Sequence, residues 1–206
     1  MGIQELLSQY GDKYIQALFV TWKLTAVSFV IAFLIGILIT VMRVCPVKPL
    51  RWVGDFYVQI FRNIPGATLL IMLVYALPYL NMVLSYYTCV LTATSLLPAA
   101  FCSEYLMAGM NTVSIGQIEA ARALGMSFGK ILKNVVIPQA LRSSVLPMTN
   151  LLVATMLTTA LASQVPMNPT DLTGLVSHIN TRAENLIFII KIIFPIIILK
   201  KGFNRI

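Results

Sequence analysis

The stretch NIPGATLLIMLVYALPYLNMVLSYYTCVLTATSLLPAAFCS, residues 63–103, holds 41 residues and no charge. As one straight helix it would reach about 60 Å, twice the ~30 Å of a bilayer's hydrocarbon core. It must therefore cross and return. The bend belongs at Pro78-Tyr79-Leu80-Asn81, where a proline and an asparagine sit together. This predicts a span over residues 52–77 and another over 85–108. Pro98 falls inside the latter, which membrane helices tolerate when neighbours satisfy the freed carbonyl.

Outward from that stretch the pattern repeats. Leu24 to Met42 is 19 residues without a charge, about 28 Å of helix. A signal peptide is the competing reading, but its apolar region is only about 7 to 15 residues long. The run here ends in Arg43 and predicts a retained span over 15–42, with the first 14 residues in water. Arg43 to Arg51, RVCPVKPLR, combines two helix-breaking prolines with basic residues and marks a cytoplasmic turn. Ser143 to Thr170 is again uncharged and predicts a fourth span over 139–162. Gln164 to Glu184 reads as an external segment. A short apolar run over 185–199, interrupted by Lys191 and Pro195, predicts the fifth span. Ten of the fifteen basic residues then fall inside, among them Lys48, Arg122, Lys130, Lys133, Arg142, Lys200, Lys201 and Arg205. That gives an all-α integral membrane protein of about five spans, N-terminus outside and C-terminus cytoplasmic, in a single domain over 1–206.

Composition agrees. Of 206 residues, 58% are hydrophobic and 11% charged, and mean hydropathy is +0.85. Disorder, a solvated coiled coil and an ordinary soluble enzyme are excluded. The net charge of +8 belongs to span flanks rather than to a nucleic-acid partner. Cys45, Cys89 and Cys102 are odd in number and far apart, so neither a disulfide framework nor a zinc site is expected, and no metal cluster is visible. His178 stands in the external segment without a Ser, Asp or Cys constellation and reads as a loop residue.

Residues 111–138 change character, with charges interleaved among apolar residues. Ile118 to Leu124 favours a helix with Glu119 in its first turn. Gly125 is placed for a left-handed cap and Ser127 for the next N-cap. Phe128, Ile131, Leu132 and Val135 recur at i, i+3, i+4 and i+7. Pro138 should punctuate the entry to the fourth span. The product is a cytoplasmic helix-turn-helix with a small-residue face at Ala120 and Ala121. Composition alone is equally satisfied by an amphipathic hairpin resting on the membrane.

The spacing of Glu119, Ala120, Ala121, Gly125, Val135, Ile137 and Pro138 resembles the EAA loop of ABC importer permeases. FRNIP (Phe61 to Pro65), the run from Ala99 to Ser127, VIPQALR ending at Arg142, LAS at Leu161 to Ser163 and DLTG at Asp171 to Gly174 resemble the subfamily for polar amino acids. That is the histidine/glutamate/glutamine/arginine/opine type. Met107 replaces its common arginine, Asn63 its glycine, and Leu157-Thr158 its common Lys-Asp pair. The resemblance implies a type I importer fold and an ATPase-coupling role for Glu119, Ala120, Ala121 and Gly125. It implies partners too: cytoplasmic ABC ATPase subunits, a second permease subunit, an extracytoplasmic solute-binding protein, and a polar amino acid as substrate, in a bacterial or archaeal cell membrane. ATP and Mg would sit on the ATPase, with no cofactor in this chain, which has no G-x-x-x-x-G-K-[ST] loop.

Ionisable and polar residues inside spans are functional candidates, because burial without a partner is costly. Glu104, Arg62 and Asn150 are the candidate pathway residues. Their structural alternatives are an ion pair for Glu104, interfacial anchoring for Arg62 and helix–helix hydrogen bonding for Asn150. Asp55 and Arg62, seven apart, share a helix face, and Asp55 reads as an interfacial anchor. Two rival functions remain: an ATPase-independent secondary transporter or channel, and an ABC permease for another small solute. A membrane enzyme lacks a catalytic cluster.

Overall fold

The structure is a computed structural model that describes residues 3–183, with side chains from 10 to 179. All described elements are helical: α1 (Ile3–Val44), α2 (Lys48–Asn63), α3 (Gly66–Leu80), α4 (Tyr86–Met110), α5 (Ile115–Ala123), α6 (Phe128–Gln164) and α7 (Leu172–Ala183). Three helices, α1, α4 and α6, are long and apolar enough to cross a membrane, and α2 with α3 forms a bent pair that makes a fourth candidate. The expected fifth span, 185–199, lies outside the described residues.

The centre of the bundle is α4, packed between α1 and α6. One face of α1 is a ladder of small side chains: Ala17, Thr21 and Thr25, then Ser28, Ala32, Gly36 and Thr40, all buried. Steps of four residues, with one of three from Thr25 to Ser28, keep them on one ridge, where small side chains let helices approach closely. Hydroxyls on the ridge are satisfied in place. Ser28 and Thr94 share a hydrogen bond of 2.7 Å, and Thr40 donates to Gly36 O at 2.7 Å. Every buried side-chain N or O among the described residues has a partner, as a low-dielectric surround demands. The opposite face of α1 exposes Phe19, Trp22, Val30, Leu34, Leu38 and Val41, the surface of a lipid-facing helix.

Four elements differ from the sequence reading. Helix α1 starts at Ile3 and runs 42 residues, about 63 Å, so it continues beyond the predicted span at its polar start. The predicted span over 52–77 is not one helix: it breaks at Ile64-Pro65 and turns by 102°. The cause is visible in α2, where Lys48, Arg51, Asp55, Gln59 and Arg62 recur every three to four residues as a polar stripe. A helix so lined has no reason to cross hydrocarbon.

The hairpin's second arm is also not a separate short helix. It runs through a π turn, Leu132–Val136, straight into the fourth span. The proline expected to punctuate there sits just past that turn. An extra residue per turn frees a position for Pro138, which has no N–H to donate. Pro78 is accommodated the same way, after the π turn Met72–Ala76. Finally, the external segment contains α7. Asp171 caps it by accepting from Thr173 N and Gly174 N, both at 3.1 Å, and Leu172 N donates to Thr21 Oγ1 of α1 at 3.0 Å. Burial pushes the Asp171 carboxyl up from its usual range, against the lowering effect of those N–H donors. Leu175 and Ile179 then pack on Ala17.

At Gly36 the α1–α4 approach leaves no room for a side chain: a Cβ there would come within 2.6 Å of Cys102 Cβ and Sγ. Gly36→Val is expected to cost about 2 kcal/mol. Thermal unfolding in detergent, compared with Ala26→Val on the exposed face, should show the loss only for Gly36. Equal melting of the two variants would reject this packing.

Candidate functional site

An ion-pair cluster joins three helices at one end of the bundle. Arg43, next to last in α1, donates from Nε to Asp55 of α2 at 2.8 Å. Its Nη2 meets Glu104 of α4 at 2.9 Å, and its Nη1 donates to Ser103 Oγ at 3.2 Å. Arg62, at the far end of α2, reaches the other Glu104 oxygen at 3.2 Å. Two guanidiniums and two carboxylates thus balance, with the Arg43 side chain 14% exposed. Because Arg43 grips the middle of α2 and Glu104 its C-terminal end, α2 lies across this end of the bundle. The chain then turns at Pro65, and α3 climbs away until Leu73 O accepts from Cys89 Sγ near the start of α4.

Arg62 also faces a cleft of about 320 Å³ between the α2–α3 break, α4 and α6. Its guanidinium lies 5.7 Å from the Phe101 ring centroid, a cation–π distance. Ile64, Leu97, Pro98, Leu151 and Ala154 give the cleft apolar walls, and Tyr105, Thr155 and Thr158 give it hydroxyls. A second cleft of about 390 Å³, lined by Gly66, Ala67, Leu157, Thr158, Ala160, Leu161 and Gln164, continues from the first through Gly66 and Thr158. One cation therefore stands at one end of a groove whose other polar side chains are hydroxyls and the Gln164 amide. Leu157 and Thr158, where the resembling subfamily has a charged pair, are both wall residues.

Of the three predicted pathway residues, the structure brings Arg62 and Glu104 together. Glu104 pairs with Arg62 and lines neither cleft. Asn150 is exposed on α6 and lines neither cleft. Arg43 was missed by sequence reasoning, which took it for a cytoplasmic flank. The signal available was its place at the end of an apolar run, three residues beyond buried Thr40.

The second feature is the hairpin. Gly125 has φ +73°, the left-handed conformation that glycine adopts freely. Its N–H donates to Arg122 O at 2.9 Å and Met126 N to Ala121 O at 3.1 Å, the paired bonds of a Schellman cap. The turn folds α5 back onto the arm of α6, around Val113, Ala121, Ile131 and Val136. Three expectations shift. Helix α5 begins at Ile115, so Glu119 is in its second turn. Ser127 sits at the predicted N-cap but makes no side-chain cap bond. The two alanines do not share a face either: Ala121 is buried, while Ala120 and Glu119 are exposed. The outer surface carries Ile115, Leu124 and Phe128, exposed by 74%, 82% and 58%. Three large apolar side chains are thus left exposed on a glycine-capped hairpin.

Comparison with known proteins agrees. A match to the family described as binding-protein-dependent transport system inner membrane component spans residues 32–205. The glutamate transport system permease protein GluC of Corynebacterium efficiens is 31% identical over 204 residues, covering 93% of this chain and 88% of that protein. The L-cystine transport system permease protein TcyB of Bacillus subtilis is 34% identical over 148 residues, 72% of this chain and 63% of that protein. A crystal structure of an amino acid ABC transporter superposes with TM-score 0.87 at 26% identity, covering 97% of this chain and 94% of that one. An inward-facing MetNI methionine ABC transporter shares the fold, with TM-score 0.75 at 21% identity over 93% and 91%.

Glu104 holds two guanidiniums and Arg62 is 42% exposed, so Glu104→Gln should destabilise by about 2 kcal/mol and Arg62→Gln by under about 1 kcal/mol. In the double variant the losses should fall short of their sum. Thermal denaturation of the four proteins measures this, and additive losses would mean the pair is not coupled.

Proposed function

The chain belongs to the binding-protein-dependent transport system inner membrane components, and from that membership we infer that it is the membrane-spanning permease subunit of an ATP-driven importer of amino acids. One structural observation supports this reading most directly. Helix α6 runs unbroken from the hairpin arm at Phe128, through the walls of both clefts, to Gln164. A push on the knob around Phe128 and Leu124 is therefore a push on Leu151, Thr155 and Thr158.

Cytoplasmic ABC ATPase subunits grip the hairpin at Ile115, Glu119, Ala120, Leu124 and Phe128, with Ala121 and Gly125 keeping its shape. ATP and Mg belong to those subunits; this chain supplies no ATPase site of its own. A helix presented to a groove with an apolar face is an ordinary recognition mode. A solute-binding protein delivers the substrate on the opposite side, and the chain sits in a bacterial or archaeal cell membrane with its N-terminus outside. A second permease completes the pathway. Exposed Leu141, Val145, Leu146, Leu152 and Leu157 on α6 suit that partner, and Asn150 then belongs to the same interface.

The substrate is a polar amino acid. Its carboxylate meets Arg62, whose bidentate guanidinium matches it, while Glu104 orients Arg62. Thr158, Thr155 and Tyr105 offer hydroxyls along the groove.

In proteoliposomes with ATPase and binding protein, Gly125→Val should insert normally yet lose about tenfold or more of ATP-dependent uptake, since a β-branched residue strains the left-handed turn. Gly129→Ala, with open space around it, should transport normally. Uptake by Gly125→Val at the parental rate would remove the hairpin's coupling role. Flux persisting without any ATPase would favour a secondary transporter.

A further inference from the structure

We propose that α2 is an interfacial helix that binds anionic phospholipid in the leaflet on the hairpin side of the membrane. That side is cytoplasmic under the orientation inferred above.

The helix has three sides. Gly54 and Val58 are buried against the bundle. Asp55 and Arg62 on the polar stripe engage Arg43 and Glu104. The third side is apolar and uncovered among the described residues: Trp52 is 78% exposed, Val53 56% and Phe56 68%. A helix with such a face, turned by 102° from the α3 segment that follows it, lies near the membrane plane rather than across it. Its ion pairs hold both its middle and its C-terminal end at the level of Glu104. That is the geometry of a helix lying in the headgroup region with its apolar side toward the acyl chains.

The charge at its start selects the lipid. Lys48 and Arg51 occupy the first turn, no acid accompanies them, and Val47 provides no side-chain cap. Cations there oppose the helix dipole and do nothing for α2 itself. Arg51 donates one N–H to Cys45 O at 3.3 Å, which fixes its stem and leaves its other donors outward. Two cations and a helix N-terminus beside an exposed tryptophan suit a lipid phosphate, and an anionic headgroup over a zwitterionic one. A second copy of this chain or the C-terminal segment are the other possible occupants, and the test separates them.

Tryptophan fluorescence reads the contact directly, because the chain has only Trp22 and Trp52. The complex with its companion subunits is placed in nanodiscs as Trp22→Phe, with Trp22→Phe/Trp52→Phe subtracted as background. Acyl-brominated phosphatidylglycerol or phosphatidylcholine is added at equal, minor mole fraction in phosphatidylcholine. Trp52 should be quenched by both, with the brominated phosphatidylglycerol about threefold or more stronger, and Lys48→Gln/Arg51→Gln should erase the difference while quenching persists. Equal quenching by the two lipids in the parental chain overturns the anionic preference. No quenching overturns the proposal altogether and assigns the face to protein. Neither outcome depends on uptake, so the coupling role tested with Gly125→Val stands or falls separately.

Discussion

Glu104 bears two guanidiniums, and the end of the bundle is organised around that fact. A carboxylate near the end of an apolar helix is tolerated only with charge partners close by. Arg43 comes from α1 and Arg62 from α2, so satisfying one side chain of α4 fastens three helices together. The same bonds hold α2 across the end of the bundle and leave Arg62 at the mouth of the groove. Packing alone, through the small-residue ridge of α1, would hold α1 to α4 but would say nothing about α2.

Much of this was legible in the residues. The uncharged runs locate α1 and α4, and Ser85 marks the start of α4, accepting from Thr88 N at 3.1 Å. Gly125 fixes the hairpin turn, and the stripe of Ile131 and Val135 fixes what it packs. The second span was misread because uninterrupted apolarity from residue 63 onward outweighed the polar periodicity just before it. That periodicity, Lys48 to Arg62 in steps of three and four, was the better guide. Helix α7 was readable as well, since Asp171 precedes Leu172, Leu175, Val176 and Ile179 at helical spacing.

Other features had no local signal. Which cation would find Glu104 depends on tertiary approach, so Arg43 looked like any flanking charge. Pro138 looked like a break, because a sequence does not announce that a π turn will absorb it. The exposure of Asn150 depends on how α6 is rotated against α4, where Ser144 donates to Tyr105 O at 3.1 Å. A polar residue in an apolar run is visible; the side of the helix that neighbours leave uncovered is not.

The π turn at Leu132–Val136 has a geometric consequence of its own. One added residue advances everything after it by about a quarter of a revolution. It thereby sets the phase between the stripe that packs the hairpin, at Ile131, and the stripe that walls the groove, at Leu151 and Thr155. The bulge works like an offset key on a shaft. Shortening it by one residue would leave both ends of the rod intact and aim them in the wrong directions.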